Sequence, residues 1–268
     1  APKNTWDGEH NDFQGGTFPG IRDRLDYLQG LGVGAIWLSP VLKNAQRQQG
    51  TYHGYGIQDF LTVDPRFGTE AELIELIDQA HARHMYVIFD IVLNHCGDVF
   101  EYEGHGASAS WQDTEYSIRW RDEHNQPRDD WHEAPAECHP DAAVFPDELR
   151  HNRFFRRKGK GGESGGDFES LKELITEFVE HDDPGHGYYH PVCDTLIKAY
   201  QYLVARFDVD GFRIDTLKYV STDFARIFAN AMREFAQSIG KADFFTFGEV
   251  WDSEEKIVRY IGRNAGSR

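Results

Sequence analysis

Apolar residues along the chain follow two alternating patterns, and the alternation predicts strands separated by helices. Short, continuously apolar runs are typical of strands buried on both faces. Apolar residues spaced by three and four are typical of one face of a helix. The strand-like runs begin near Ala35, Met85, Gly211 and Phe245. Because strands and helices alternate, the sequence predicts an α/β fold with a parallel sheet.

The helices between these runs are marked by their ends as well as by their spacing. Thr69 and Glu72 have the pattern of a capping box at the start of the second helix, and Ser253 is a suitable N-cap for the last one. The first 16 residues lack periodicity and are predicted to be a loop. The predicted helices cover residues 19–30, 70–80, 196–207, 224–235 and 254–261.

Polar residues gather where the predicted strands end. In chain order these are Ser39, residues 90–95, residues 213–218 and Glu249. The carboxyl ends of parallel strands form the site of a (β/α)8 barrel and also of an open doubly wound sheet, so both architectures remain open on this pattern. No glycine-rich phosphate-binding turn follows any of the strands, which argues against a nucleotide-binding protein.

Two carboxylates among these residues have contrasting surroundings. Arg213 and Asp215 are two apart in one strand, so their side chains share a face, and the arginine is expected to lower the pKa of Asp215. Glu249 ends a strand among apolar neighbours, where desolvation is expected to raise its pKa. A carboxylate pair with opposed pKa values is typical of a glycosidase. A surface ion pair and a buried structural glutamate would give the same pattern, and neither motif alone decides between the two interpretations.

Residues 96–190 interrupt the alternation of strands and helices. They are rich in Asp, Glu, His, Trp and Gly, and they contain a glycine-rich tract over residues 156–166 that we expect to be mobile. We therefore expect an inserted, loop-rich unit with short elements of its own. It would lie between two parts of one α/β domain, residues 1–95 and 191–268.

Composition narrows the class of protein without identifying it. A chain of 268 residues can form one large domain or two small ones. Its net charge of −17 argues against nucleic acid or an anionic membrane as a partner and is compatible with a neutral ligand. No apolar run is long enough to predict a membrane span. Cys96, Cys138 and Cys193 lack metal-ligand spacing and leave the compartment open, with an extracellular or periplasmic location favoured over a cytoplasmic one.

Five segments of the chain resemble landmarks of the α-amylase family of glycoside hydrolases. Three of them resemble the family's first three sequence signatures, in the family's order: Asp90–His95, Gly211–Lys218 and Gly248–Trp251. The segments His53–Tyr55 and Gly166–Leu171 resemble two further landmarks. The resemblance extends over essentially the whole chain. It implies a portion of a (β/α)8 TIM barrel, with about four parallel strands and their helices, and residues 96–190 would be the family's inserted domain B.

The resemblance also implies a role for each matching residue. Asp215 would be the nucleophile and Glu249 the general acid and base, with Arg213 holding Asp215 in its charged form. His95 and Tyr55 would contact the sugar on one side of the scissile bond, Tyr55 by stacking. Further residues expected to bind substrate are Asp90, Lys218, Tyr219 and Trp251.

A calcium ion is the cofactor that the resemblance suggests, and no organic cofactor is expected. Asn94 lies where domain B would leave the barrel, and Asp167 offers carboxylate oxygens of the kind that calcium prefers. Both are expectations for ligands, and a hydrogen-bonded Asn94 without any ion is the alternative. The histidines of residues 96–190 lack the helical spacing of zinc ligands and are expected to be ordinary surface residues. They include His132, His139, His151, His181, His186 and His190.

The chain also departs from the family pattern. Many starch-cleaving members have His where this chain has Tyr219, on the leaving-group side of the bond. The chain begins after the place of the family's first barrel strand and ends before the His-Asp signature that would supply a third carboxylate. Because four strands cannot close an eight-stranded barrel, we expect these residues to be a portion of a longer protein rather than an open half-barrel.

The expected function is hydrolysis of the α-glucosidic bonds of starch-like α-glucans with retention of configuration, through a covalent glycosyl-enzyme intermediate. The expected partner is an α-glucan oligosaccharide or polysaccharide. Two alternatives remain. One is an α-glucan transglycosylase of the same family, and the other is a catalytically inactive member that binds carbohydrate.

Overall fold

The computed structural model describes residues 13, 15–45, 51–162, 165–181 and 188–261. Most of the loop predicted over the first 16 residues lies outside these ranges, as does His186. In chain order the strands are β1 Ala35–Leu38, β2 Leu42–Asn44, β3 Ile57–Val63, β4 Tyr86–Val92, β5 His95–Cys96, β6 Phe100–Tyr102, β7 Ile118–Trp120, β8 Lys172–Glu173, β9 Glu180–His181, β10 Tyr188–Tyr189, β11 Gly211–Asp215 and β12 Phe245–Gly248. The helices are α1 Phe18–Arg22, α2 Leu25–Gly30, α3 Glu70–His81, α4 Pro191–Phe207, α5 Thr222–Ser238 and α6 Glu254–Tyr260.

The predicted parallel sheet is confirmed. Its four strands lie in the order β1-β4-β11-β12, and every neighbouring pair is parallel. In the register between β4 and β11, Arg213 lies opposite Asp90 and Asp215 lies opposite Val92. Because all four strands run in the same direction, the polar residues at their carboxyl ends lie along one edge of the sheet.

Burial differs between the central and the outer strands of this sheet. All of β11 and most of β4 are buried, as their continuous apolar runs predict. The same prediction is wrong for β1 and β12, where Trp37 is 54% and Phe245 is 59% exposed. Both strands lie at the edges of the sheet within the described residues, so each has a neighbouring strand on one side alone.

The predicted helices are present, with one difference. The capping box of α3 is confirmed, because the Thr69 hydroxyl accepts from Glu72 N–H (3.2 Å) and the Glu72 carboxylate accepts from Thr69 N–H (2.7 Å). The first predicted helix is instead two short ones, α1 and α2, because Arg24 leaves helical geometry with φ −112° and ψ 2°. Among the described helices, none combines the length and apolar character needed to cross a membrane.

Residues 95–181 contain short antiparallel pairs, and their aromatic residues belong to the same hydrophobic core as the parallel sheet. Strand β5 pairs with β8, and β6 pairs with β7. The rings of Phe100, Trp120 and Phe155 pack edge to face around one another at centroid distances of 5.3–5.4 Å. Short elements in this region agree with the expectation of a loop-rich insertion, while its division from the rest of the chain as a separate domain stays a prediction.

The glycine-rich tract expected to be mobile is hydrogen-bonded where the structure describes it. Lys160 N–H donates to Ala109 O (2.9 Å), and Asp167 N–H donates to Gly159 O (2.8 Å). A Cβ atom on Gly166 would lie 2.5 Å from Gly159 O, so glycine is needed for the two segments to approach this closely. The glycines of this tract therefore permit close backbone packing.

Tyr200 of α4 ties the helix to the end of β4, and its removal tests that link. The buried Tyr200 hydroxyl donates to Val92 O (2.6 Å) and accepts from Val92 N–H (3.2 Å). Because Tyr200→Phe leaves two buried backbone groups without this partner, it should lower the free energy of unfolding by about 1–3 kcal/mol. Urea denaturation measures the change. Tyr202→Phe, on an exposed side of the same helix, is the control and should change little; equal losses in the two variants would contradict the link.

Candidate active site

One guanidinium group joins the carboxylates at the edge of the sheet. Arg213 Nη1 lies 2.8 Å from Asp215 Oδ1 and 2.8 Å from Asp90 Oδ1. Its other terminal nitrogen, Nη2, lies 2.9 Å from Glu249 Oε2. The predicted shared face of Arg213 and Asp215 is confirmed. Strands β4 and β11 and the residue after β12 thus bring three carboxylates to a single cation.

Asp90 is held by two further donors from other parts of the chain. The Tyr55 hydroxyl (3.0 Å) and the Trp37 indole N–H (3.2 Å) both donate to Asp90 Oδ2. The Arg213 guanidinium also lies 5.3 Å from the centre of the Trp37 ring. Sequence reasoning missed Trp37, which it treated as part of a buried strand. A tryptophan near the carboxyl end of a strand, with an N–H that needs a partner, was the available signal.

The pKa of Asp215 differs from the sequence expectation. Burial raises the pKa of Asp215 to about 6, while Arg213 lowers it in part and the charge of Asp90 raises it further. The expected low pKa is therefore wrong. Burial has the largest effect on this pKa and outweighs the ion pair with Arg213. Burial likewise raises the pKa of Asp90, against the opposing effect of Arg213.

The surroundings of Glu249 also differ from the expectation of an apolar site. Its side chain is 40% exposed and forms an ion pair with Arg213. Glu249 Oε2 accepts a further hydrogen bond from Thr216 N–H at 3.2 Å. Thr216 has a left-handed φ of 47°, rare for a β-branched residue, and marks a sharp turn directly after β11. The apolar neighbours of Glu249 in sequence do not enclose it, because β12 is an edge strand.

An aromatic group lies beside the carboxylates, and Phe168 is at its centre. The Phe168 ring is nearly parallel to the His95 ring, with centroids 6.4 Å apart, and it lies 6.1 Å from the Tyr219 ring. His95 is only 1% exposed, and burial lowers its pKa to about 3, so the ring is neutral. Within the described residues His95 Nε2 has no hydrogen-bond partner. Sequence reasoning gave Phe168 no role, although it lies in a segment that resembles a family landmark.

The remaining predicted substrate residues meet on the loops after β11 and β12. Lys218 Nζ lies 3.4 Å from Trp251 O and 5.1 Å from the centre of the Tyr219 ring. The Trp251 side chain is 83% exposed, so its indole is available to a ligand. The structure thus brings these three residues together, and their contact with substrate stays a prediction.

The two predicted calcium ligands have other partners. Asp167 Oδ2 accepts from the Tyr102 hydroxyl (2.7 Å) and lies 3.3 Å from Lys172 Nζ, while the Asn94 amide lies 3.4 Å from His95 Nδ1. Across the part of the chain that the structure describes, no group of three or more His, Cys, Asp or Glu residues could hold a metal ion. Because an ammonium group already contacts the Asp167 carboxylate, this residue does not fit a calcium site.

Comparison with known proteins assigns the chain to a family. The family model for the α-amylase catalytic domain matches residues 2–267. The chain belongs to the α-amylase family of glycoside hydrolases. Its parallel sheet with surrounding helices is accordingly part of the (β/α)8 barrel of α-amylases.

Relatives within the α-amylase family are longer than this chain. The α-amylase of Streptomyces lividans is 36% identical over 276 residues, which cover 92% of this chain and 28% of that protein. The intracellular maltogenic amylase of Bacillus subtilis is 29% identical over 264 residues, which cover 97% and 36%. A crystal structure of the α-amylase of Geobacillus thermoleovorans complexed with acarbose matches with a TM-score of 0.60 at 29% identity, covering 94% of this chain and 45% of that one.

The chain therefore spans less than half the length of each of these relatives. The family includes a periplasmic α-amylase from Escherichia coli, 27% identical over 300 residues that cover 91% of this chain and 44% of that protein. Because an intracellular and a periplasmic enzyme are both similar to the chain, its compartment stays a prediction.

The charges around Arg213 predict a measurable coupling between two carboxyl groups. We expect Asp215 to titrate with a pKa of about 6. Carbon-13 NMR of its side-chain carboxyl in the intact protein measures this titration. Asp90→Asn removes a negative charge that raises this pKa, so it should shift the Asp215 titration to lower pH. Asp208→Asn, near the amino end of β11, is the control and should leave it unchanged. A wild-type pKa below the ordinary value, or no shift in Asp90→Asn, would contradict the coupling.

Proposed function

We propose that this chain provides the nucleophile and the general acid of a retaining enzyme that hydrolyses α-glucosidic bonds in starch-like α-glucans. The observation that carries the proposal is the contact of Arg213 with both Asp215 and Glu249 in a member of the α-amylase family. The names of its relatives, α-amylases and a maltogenic amylase, support an α-glucan as the substrate. The hydrolytic activity is proposed for the intact protein.

Asp215 is the nucleophile in this proposal. Its carboxylate attacks the anomeric carbon and forms a covalent bond to the sugar as the glycosidic bond breaks. The pKa of about 6 leaves most of the carboxylate charged at neutral pH. Arg213 Nη1 occupies one side of the carboxylate, contacting Oδ1 at 2.8 Å, and thereby fixes its orientation.

Glu249 is the general acid in the first step and the general base in the second. It donates its proton to the glycosidic oxygen and later removes a proton from the water that attacks the glycosyl-enzyme. Glu249 Oε2 faces two donors, Arg213 Nη2 and Thr216 N–H, so Glu249 has to turn away from both to present a proton to the glycosidic oxygen. Its partly exposed side chain has room to rotate.

The remaining residues bind the sugar. Tyr55, which is fixed by Asp90 through its hydroxyl, supplies a ring on which the flat face of a glucose unit stacks. His95 Nε2, which has no hydrogen-bond partner among the described residues, is a partner for a sugar hydroxyl. On the other side of the bond, the exposed Trp251 indole and Tyr219 contact the leaving group.

Substrates with different leaving groups separate the two carboxylate roles. Glu249→Gln should slow cleavage of an α-glucan oligosaccharide by about 10²- to 10⁴-fold and affect an aryl α-glucoside far less, because an aryl leaving group needs no protonation. Asp215→Asn should abolish both reactions and the trapped covalent intermediate. Steady-state kinetics and intact-protein mass spectrometry measure these effects. Asp223→Asn, at an exposed carboxylate on α5, is the control, and equal losses on both substrates in Glu249→Gln would refute the acid role.

The stereochemistry of the product tests retention independently. Proton NMR during early turnover should show the α-anomer first, since two displacements restore the original configuration. In a retaining pair the carboxyl groups of Asp215 and Glu249 lie about 5–5.5 Å apart once Glu249 has turned toward the substrate. Initial formation of the β-anomer would refute retention. Oligosaccharides longer than the substrate would identify transfer to sugar in place of water.

A further inference from the structure

Lys172 is a fully buried lysine whose ammonium group is surrounded by oxygen atoms. It lies on β8, and none of its surface is exposed. Nζ lies 3.2 Å from Asp98 Oδ1 and 3.3 Å from Asp167 Oδ2. It also donates to Ala107 O at 2.5 Å. A buried ammonium is stable only when it is paired and hydrogen-bonded in this way.

Two aromatic rings complete the enclosure of the ammonium group. Nζ lies 4.9 Å from the centre of the Phe100 ring and 4.6 Å from that of the Tyr102 ring, both on β6. The Tyr102 hydroxyl donates to the same Asp167 oxygen that faces Lys172. Burial and the nearby Asp167 raise the pKa of Tyr102, so its hydroxyl keeps the proton that it donates. The site therefore combines charge, hydrogen bonds and cation–π contacts around one cation.

Both aspartates in this cluster face a cation without any added ion. Asp98 and Asp167 are buried, and Lys172 contacts both. Arg121 Nη2 lies 3.0 Å from the other Asp98 oxygen. The second Asp167 oxygen accepts from the backbone N–H of Glu173 at 3.2 Å. Lys172 and Arg121 thus neutralise these aspartates by direct contact, Glu101 Oε2 lies 4.0 Å from Arg121 Nη2, and a divalent ion beside the ammonium would be repelled by it.

The cluster lies at the junction where the sequence suggested calcium. Strand β8 pairs with β5, so Lys172 is opposite Cys96 and Glu173 is opposite His95. Immediately after β8, Leu174 N–H donates to Asn94 O at 2.9 Å. Lys172 therefore links residues 98–107 and 167 to the chain leaving the carboxyl end of β4, next to the candidate active site.

We propose that the Lys172 ammonium is the cation of this junction and takes the place of a calcium ion. Calcium binds six to eight oxygens, whereas the Asp98 and Asp167 oxygens here are shared with Lys172, Arg121 and Tyr102. The fold of residues 95–181 onto the sheet is accordingly independent of calcium. This inference concerns stability and does not rest on the proposed reaction.

Thermal unfolding of the intact protein with and without calcium tests the proposal directly. In EDTA and in millimolar calcium chloride the wild-type Tm should agree within about 1 °C, because no ion binds the folded state selectively. A calcium-dependent rise of about 4 °C or more that is lost in Asn94→Ala would place calcium at the junction and overturn the proposal. A rise that survives Asn94→Ala would show that calcium binds the folded protein through other residues, and it would also contradict the proposed independence of calcium.

A double-mutant cycle of charge-removing substitutions tests Lys172 itself. Lys172→Met should lower the Tm strongly because it leaves two buried carboxylates with one cation, whereas Lys160→Met, at an exposed lysine paired with Glu169, should change it little. Asp167→Asn should lower the Tm of the wild type but raise that of Lys172→Met, since Asp98 keeps Arg121 when Lys172 is lost whereas Asp167 is left without a cation. A decrease of equal size in both backgrounds would overturn the proposal. If Lys172→Met does not fold, the double variant with Asp167→Asn should recover folded protein, and its failure would also count against the proposal.

Discussion

The arrangement of the candidate active site depends on a single cation shared among three carboxylates. Arg213 reaches Asp90 and Asp215 through one nitrogen and Glu249 through the other. Burial has the largest effect on the pKa of Asp215, which rises to about 6 despite the ion pair with Arg213. Because the three carboxylates share one guanidinium, one of them can move in the proposed mechanism while the other two stay in contact with it. Glu249 is the exposed member of the three, and it can leave the guanidinium while Asp90 and Asp215 remain bound.

The register of the parallel strands brings the three carboxylates to Arg213. In the parallel sheet Arg213 lies opposite Asp90, and Glu249 follows the strand that pairs with β11 on its other side. Tyr200 then fixes the end of β4 from the helix side through both backbone groups of Val92. Side chains on three neighbouring strand ends can therefore meet at one guanidinium without any long loop. Trp37 adds a fourth strand end, because its indole reaches Asp90 from β1.

Lys172 is a second buried cation, and its role differs from that of Arg213. Lys172 contacts Asp98 and Asp167, and Arg121 contacts Asp98, so each of these two buried carboxylates faces a cation. Arg213 is shared among three carboxylates. The contacts of Lys172 and Arg121 are suited to holding residues 95–181 in place. Beside Arg213, burial raises the pKa of Asp215 to about 6, a perturbation typical of functional sites.

The sequence by itself determined the alternation of strands and helices, the shared face of Arg213 and Asp215, and the place of Glu249 after β12. Each of these follows from local periodicity or from the pairing of parallel strands. It did not determine the exposure of Trp37 and Glu249, which depends on whether other strands cover β1 and β12. The pKa of Asp215 and the cation beside Asp167 were likewise decided by tertiary structure alone. They depend on Asp90, Asp98, Tyr102 and Lys172, which come from distant parts of the chain and reach their partners only when it folds. Electrostatic effects at short range follow from distances in space, and sequence spacing carries no information on those distances.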